Sequence, residues 1–277
     1  MMKIMVAGVP GVGKTSFFYG MLSKMMNNQR DYKIGLSGGN QTIQHISSLM
    51  KLSLPSSDRF PKKSEPRETY TFRLYNREEM LTEVEWVDFN SAYTFETETY
   101  EADCLFLCLD GSLIRGRMNE IDGVVNRLYS TNSVYDLNRI LLNTFNEYGM
   151  YPSVCVVITK YDKVSQELRN RQALFSIVEK CFPGLFSGDG YSGRMLTICP
   201  VSLGKEIQFG GKLETKNVEL PLLFAVFSKQ TWLLKMMDDR SSVPKELLDT
   251  INKLLDDIKK EINLLPLYLS GKIENWK

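Results

Sequence analysis

Residues 6–18 read VAGVPGVGKTSFF, in which Gly8, Gly13, Lys14 and Thr15 keep the spacing of a turn that closes around phosphate. Glycines let the backbone curl until successive amide N–H groups face one anion, and a helix that starts at the turn adds the positive end of its dipole. Lys14 would bring an ammonium to the β and γ phosphates of a nucleotide, and the Thr15 hydroxyl would ligate Mg²⁺. The flanks suit such a turn. KIMVA before it predicts a short strand, and Phe17, Phe18, Met21, Leu22, Met25 and Met26 recur at helical spacing after it, as the buried face of a helix on a sheet.

A phosphate turn names no base, so specificity is sought at the ends of the later apolar runs. TEVEWVDFN predicts a strand that closes on Asp88, placed to hold Mg²⁺ across from the turn. DCLFLCLDGS, ending near Asp110, predicts a buried central strand. SVCVVITKYD runs from Val154 to Ile158 directly into Thr159, Lys160, Tyr161 and Asp162. A carboxylate held at such a strand end accepts two hydrogen bonds from the N1–H and N2–H₂ of guanine while the lysine stem covers the ring, and adenine lacks that donor pair. RMLTICPVSLG ends in Val201, Ser202 and Leu203, where backbone N–H groups could take the guanine O6.

The order of phosphate turn, Asp88, TKYD and VSL resembles the P-loop GTPases of the Ras-like and translation-factor-related class, and is similar to the small-GTPase-like domains of bacterial double-GTPase proteins. The resemblance spans roughly residues 1 to 235. It implies an α/β fold, a mostly parallel sheet flanked by helices, with GTP or GDP and Mg²⁺ at the carboxyl ends of the strands. By it, Gly8, Pro10, Gly11, Val12, Gly13, Lys14, Thr15 and Ser16 form the phosphate loop, Thr159, Lys160 and Asp162 face guanine, Ser202 and Leu203 complete that pocket, and Thr15 and Asp88 hold the metal. Lys14 and Thr15 would be the groups that act on the transferred phosphate.

Several positions depart from that pattern. After Asp88, Phe89 and Asn90 comes Ser91 where the family has glycine, and Ala92 stands where a Ras-like protein carries the water-orienting glutamine. Slow or partner-stimulated hydrolysis follows. Thr159 replaces the commoner asparagine, which weakens one expected contact to the phosphate loop. Residues 32–69, rich in Gly, Ser and Pro around a short helical stretch from Gln41 to Leu52, are a candidate switch, with Ser64 or Thr69 as its Mg²⁺ hydroxyl. Arg59, Arg67 and the lone His45 are expected on the surface. Three functions stay open: a switch that hydrolyses GTP slowly, a binding module that holds guanine nucleotide without turning it over, and a nucleotide kinase whose arginine lid only Arg115 and Arg117 could supply.

Composition narrows the classes further. In 277 residues, 34 Lys and Arg balance 33 Asp and Glu, so no overall field draws nucleic acid or anionic lipid. Cys104, Cys108, Cys155, Cys181 and Cys199 form no CxxC pair, which predicts reduced core thiols in a cytoplasmic protein, and no apolar run approaches a membrane span. After a closing helix near Pro221, residues 241–277 predict an amphipathic helical extension, with Leu247, Leu248, Ile251, Leu254, Leu255, Ile258 and Ile262 on one stripe. That stripe either docks on the nucleotide domain or meets a protein partner or second copy.

Overall fold

The computed structural model describes residues 1–26, 31–37, 67–90, 102–131, 134–186, 195–204, 213–236, 245–262, 267–269 and 272–274. Its strands are β1 (Met2–Gly8), β2 (Tyr32–Leu36), β3 (Arg67–Asn76), β4 (Glu79–Asn90), β5 (Cys104–Asp110), β6 (Ser153–Thr159), β7 (Met195–Pro200), β8 (Leu267–Leu269) and β9 (Lys272–Glu274). They form one sheet in the order β2-β3-β4-β1-β5-β6-β7-β8-β9. The five central strands, β4-β1-β5-β6-β7, run parallel, and antiparallel strands extend the sheet at both edges. Strands β5 and β6 are apolar along nearly their whole length because helices cover both faces.

One face carries α1 (Lys14–Met26), α5 (Leu220–Met236) and α6 (Lys245–Ile262), packed on Ile4, Val6, Phe72, Trp86, Phe106 and Val157. The other carries α2 (Ile121–Thr131), α3 (Val134–Tyr148) and α4 (Arg171–Cys181), packed on Met5, Ala7, Val87, Leu107, Val156 and Ile198. The strict alternation of strand residues between these two cores sets which strand-end side chains can meet α1. The expected α/β sheet flanked by helices is therefore present.

Two expectations about its edges change. The segment 32–69 is strand at both ends: Tyr32–Leu36 pairs with β3, and Thr69 lies within β3 opposite Val87. Residues 38–66, with His45, Arg59 and Ser64, lie outside the described residues, as do Ser91 and Ala92. The carboxyl-terminal segment is more than a helix. Its stripe docks on α5, where Ile258 and Ile262 have no exposed surface and Leu254 and Leu255 pack at the margin, and its strands β8 and β9 continue the sheet from β7. The helix Lys245–Ile262 thus shares the core formed by β1, β3, β4, α1 and α5.

All five cysteines are buried free thiols, and burial pushes Cys108 and Cys181 up to about 12, which leaves them inert. Among the described residues no helix is long and apolar enough to cross a membrane.

Ile258→Ala tests whether α6 belongs to the fold. Loss of a fully buried branched side chain should lower unfolding free energy by about 2 to 5 kcal/mol in urea titration. A change below about 0.5 kcal/mol, the range of surface substitutions, would mean that α6 is an appendage.

Candidate functional site

Parallel strands deliver their carboxyl ends to one edge of the sheet, and β1 sits where the chain reverses its direction of travel: β2, β3 and β4 lie to one side of it, β5, β6 and β7 to the other. Crevices that bind ligands open at such switch points. The glycine turn follows β1 at this place. Gly11 (φ +82°) and Gly13 (φ +102°) occupy the left-handed region that side chains disfavour, so the turn needs glycine there. It ends in α1, whose first N–H groups have no helical acceptor.

Aromatic packing fixes how α1 meets the sheet. The Phe18 ring lies 4.7 Å from Tyr70 and 4.8 Å from Trp86, Phe17 lies 5.7 Å from Trp86, and Trp86 stands edge-on to Phe106 at 5.5 Å. Trp86 is two residues before Asp88, and Phe17 two residues after Thr15, so this wedge sets the helix start against the end of β4. Asp88, in register with Val6, consequently accepts a hydrogen bond from the Thr15 hydroxyl at 3.1 Å. The Lys14 ammonium lies 3.6 Å from the other carboxylate oxygen and donates to the Gly8 carbonyl at 2.8 Å. Lys14 and Asp88 are only 5% and 3% exposed, so water does little to stabilise either charge. Burial raises Asp88 to about 6, against the opposing pull of Lys14 and the Thr15 hydrogen bond.

The second half of the site is built from β6 and β7. The Thr159 hydroxyl bonds to the Val12 carbonyl and lies 3.1 Å from the Leu109 carbonyl, so threonine makes the contact to the phosphate loop that its replacement of asparagine was expected to weaken. Lys160, in the left-handed region at φ +48°, donates to the Gly11 carbonyl at 2.8 Å and pairs with Asp110 at 2.5 Å. Asp110 in turn accepts from the Ser112 N–H at 2.8 Å. Tyr161 N–H donates to the Val201 carbonyl at 3.0 Å, which ties the TKYD segment to the residues after β7. Asp162 is partly exposed, and its backbone carbonyl is held by Arg169 at 2.7 Å.

The predicted residues thus gather at one edge: the turn from Gly8 through Ser16, Asp88, Thr159, Lys160 and Asp162, and Ser202 with Leu203. Two assignments change. The Ser202 N–H donates to the Lys216 carbonyl at 3.1 Å in a two-residue bridge and is not presented to a ligand. Thr69 shares the sheet face of Val87, opposite to that of Asp88, and cannot supply a hydroxyl beside Thr15. Arg115 and Arg117 are exposed, and their backbone is tied into the local turn, where Arg127 donates to the Arg115 carbonyl and the Arg117 N–H donates to Glu120 at 2.9 Å. Arg67 is exposed as expected, its guanidinium 5.6 Å over the Phe89 ring.

Sequence reasoning missed three groups. Asp110 looked like the end of a core strand, yet it anchors Lys160. Gly20, inside α1, lets the end of the Leu203 side chain pack against the helix backbone, where an added Cβ would make Leu203 shift. Glu68 and Tyr70, whose hydroxyl donates to the Glu68 carboxylate, stand beside Asp88 on β3.

The oxygen donors fit a small hard cation: a hydroxyl and a carboxylate 3.1 Å apart suit Mg²⁺, which takes one or two protein oxygens and fills its shell with phosphate and water. Among the described residues no group of three or more His, Cys, Asp or Glu forms a dedicated metal cage.

No protein-family model matches the chain, and no curated protein matches it. Similar solved structures include two crystal structures of SsGBP mutation variants. One is 15% identical with a TM-score of 0.39, the likeness covering 85% of this chain and 58% of that one. The other is 15% identical with a TM-score of 0.34, covering 73% and 50%. The chain spans 58% of the length of the first and half that of the second, and a likeness this distant assigns no function.

The raised Asp88 gives the nucleotide-free protein a defined pH response. A carboxyl that titrates near 6 when folded and near 3.8 when unfolded binds more protons in the folded state between those values. Its charge therefore opposes folding above pH 6, and that penalty is relieved as pH falls toward 4. Relative to Asp88→Asn, the wild type should gain about 2 kcal/mol between pH 7 and 4.5 in denaturant titrations. A difference that does not vary with pH would mean that Asp88 titrates normally.

Proposed function

We propose that this protein binds guanine nucleotide with Mg²⁺ at the carboxyl edge of its parallel strands and acts as a nucleotide-dependent switch that hydrolyses GTP slowly. The observation that carries this is the link between the two halves of the site: Thr159 and Lys160, from the segment suited to guanine, bond to the Val12 and Gly11 carbonyls of the loop suited to phosphate. A phosphate loop alone would serve many nucleotides. Its connection to Asp162 through three residues of one strand end is what favours guanine.

On this account the turn's N–H groups and the start of α1 receive the phosphates, and Lys14 exchanges its Gly8 carbonyl for phosphate oxygen. Thr15 and Asp88 would hold Mg²⁺, which supplies charge neutralisation between the β and γ phosphates. Lys160 lays its stem along the base while its ammonium stays on Gly11 and Asp110, and the Asp162 carboxylate accepts from guanine N1–H and N2–H₂. Adenine would leave that carboxylate facing no donor, and a carboxylate that a bound base screens from water without offering a donor is costly.

Ala92 argues that turnover is not this site's strength, because a methyl group cannot align water on the γ phosphate. That residue favours a second reading, in which the bound nucleotide itself is the functional state and a partner reads it. In the GTPases a stabilising group supplied from outside is worth about 10³ to 10⁵ in rate, so either reading leaves room for a stimulating partner.

Asp162→Asn tests the base assignment. The amide presents a donor where guanine also presents one, so GTP affinity should fall at least tenfold while xanthosine triphosphate, which has an acceptor there, should gain relative to GTP. Competition against a fluorescent nucleotide measures both. Unchanged GTP affinity in the variant would remove Asp162 from the site.

A further inference from the structure

Glu68 and Asp88 are direct register partners on the antiparallel strands β3 and β4. Side chains so placed share a sheet face with Cβ atoms about 5 Å apart, and like charges in that position repel. That face is the one α1 packs on, since Tyr70 and Trp86, two residues along each strand, belong to its core. Two carboxylates therefore lie beside the start of α1, where Lys14 is the cation placed against Asp88.

Glu68 is held in this arrangement. Tyr70 donates its hydroxyl to Glu68. Tyr70 is 3% exposed, and burial together with the Glu68 carboxylate keeps its hydroxyl protonated as a donor. One buried hydroxyl thus orients a carboxylate that is itself only partly buried. Fixed orientation of a carboxylate through hydrogen bonds behind it is how proteins prepare cation ligands, and loss of such support costs about 10- to 100-fold in metal affinity.

We infer that Glu68 is a second carboxylate of the cation site, set against Asp88 by the β3–β4 register and oriented by Tyr70, so that its charge adds to that of Asp88 in retaining the divalent ion of a bound nucleotide. The inference rests on the nucleotide-binding reading above. A second negative charge beside Asp88 would make metal retention stronger than Asp88 and Thr15 alone would make it.

The test uses the full chain loaded with GDP and titrated with Mn²⁺, free ion being read by electron paramagnetic resonance. Glu68→Gln keeps the shape and an acceptor for Tyr70 while removing the charge, and should weaken Mn²⁺ binding at least tenfold with nucleotide affinity in excess metal changed less than threefold. Tyr70→Phe, which removes the hydroxyl donor without discharging the carboxylate, should weaken Mn²⁺ binding by a smaller factor. Glu68→Asp should restore part of the affinity lost in Glu68→Gln. If Glu68→Gln binds Mn²⁺ as the wild type does while Asp88→Asn loses it, Glu68 is only an acceptor for Tyr70 and the inference is overturned with the functional reading intact. A wild-type protein that binds no guanine nucleotide would overturn both. Thermal melts of each variant separate loss of fold from loss of metal.

Discussion

A lysine ammonium and an aspartate carboxylate, both withdrawn from water, meet 3.6 Å apart beneath the glycine turn, and the rest of the site is arranged around keeping them there. Neither group is tolerable alone in that position: an unpaired buried charge costs several kcal/mol. Their pairing requires α1 to start at a definite height above β4, which the Phe17, Phe18 and Trp86 wedge enforces, and requires β4 to run parallel beside β1 so that Asp88 stands next to Val6. The pair is under-compensated even so, as the elevated Asp88 indicates. An anionic ligand for Lys14 and a cation for Asp88 would each relieve what the pair leaves unsatisfied, and phosphate with Mg²⁺ supplies both at once.

The same turn is clasped from the other side. Carbonyls of Gly8, Gly11 and Val12 are taken by Lys14, Lys160 and Thr159, so acceptor oxygens that would repel an anion are already engaged. Because Lys160 also pairs with Asp110, the ends of β5 and β6 are braced to the turn through one ammonium. The segment suited to a base and the segment suited to phosphate are therefore one hydrogen-bonded unit, and displacement of either changes the other.

What the sequence discloses depends on whether the signal is local. The phosphate turn is legible because glycine at Gly11 and Gly13 answers a backbone demand that few other residues meet, and the TKYD segment because the apolar run Val154–Ile158 ends abruptly in polar residues. Register is not local. Whether Glu68 or Thr69 shares the sheet face of Asp88 is decided by pairing with β4, and a shift of one residue would exchange them; the hydroxyl makes Thr69, like Ser64, a candidate from sequence, and Glu68 is the residue the pairing sets opposite Asp88. Strand β2 alternates only Tyr32 and Ile34 inward within five residues, too few to show a period, and β8 and β9 have three residues each. The amphipathic stripe of α6 was plain, but a stripe does not name what covers it, and α5 does. Asp110 ends an unbroken apolar run in which no periodicity indicates which way its carboxylate turns.

The central claim is that the two halves of this edge form a single site for guanine nucleotide. Isothermal titration of the unmodified protein, stripped of nucleotide and held in millimolar Mg²⁺, with GDP and then with ADP tests it most directly. The account predicts saturable binding of GDP with a stoichiometry of about one and an affinity at least tenfold above that for ADP. Equal affinity for the two, or no heat from either, would contradict it.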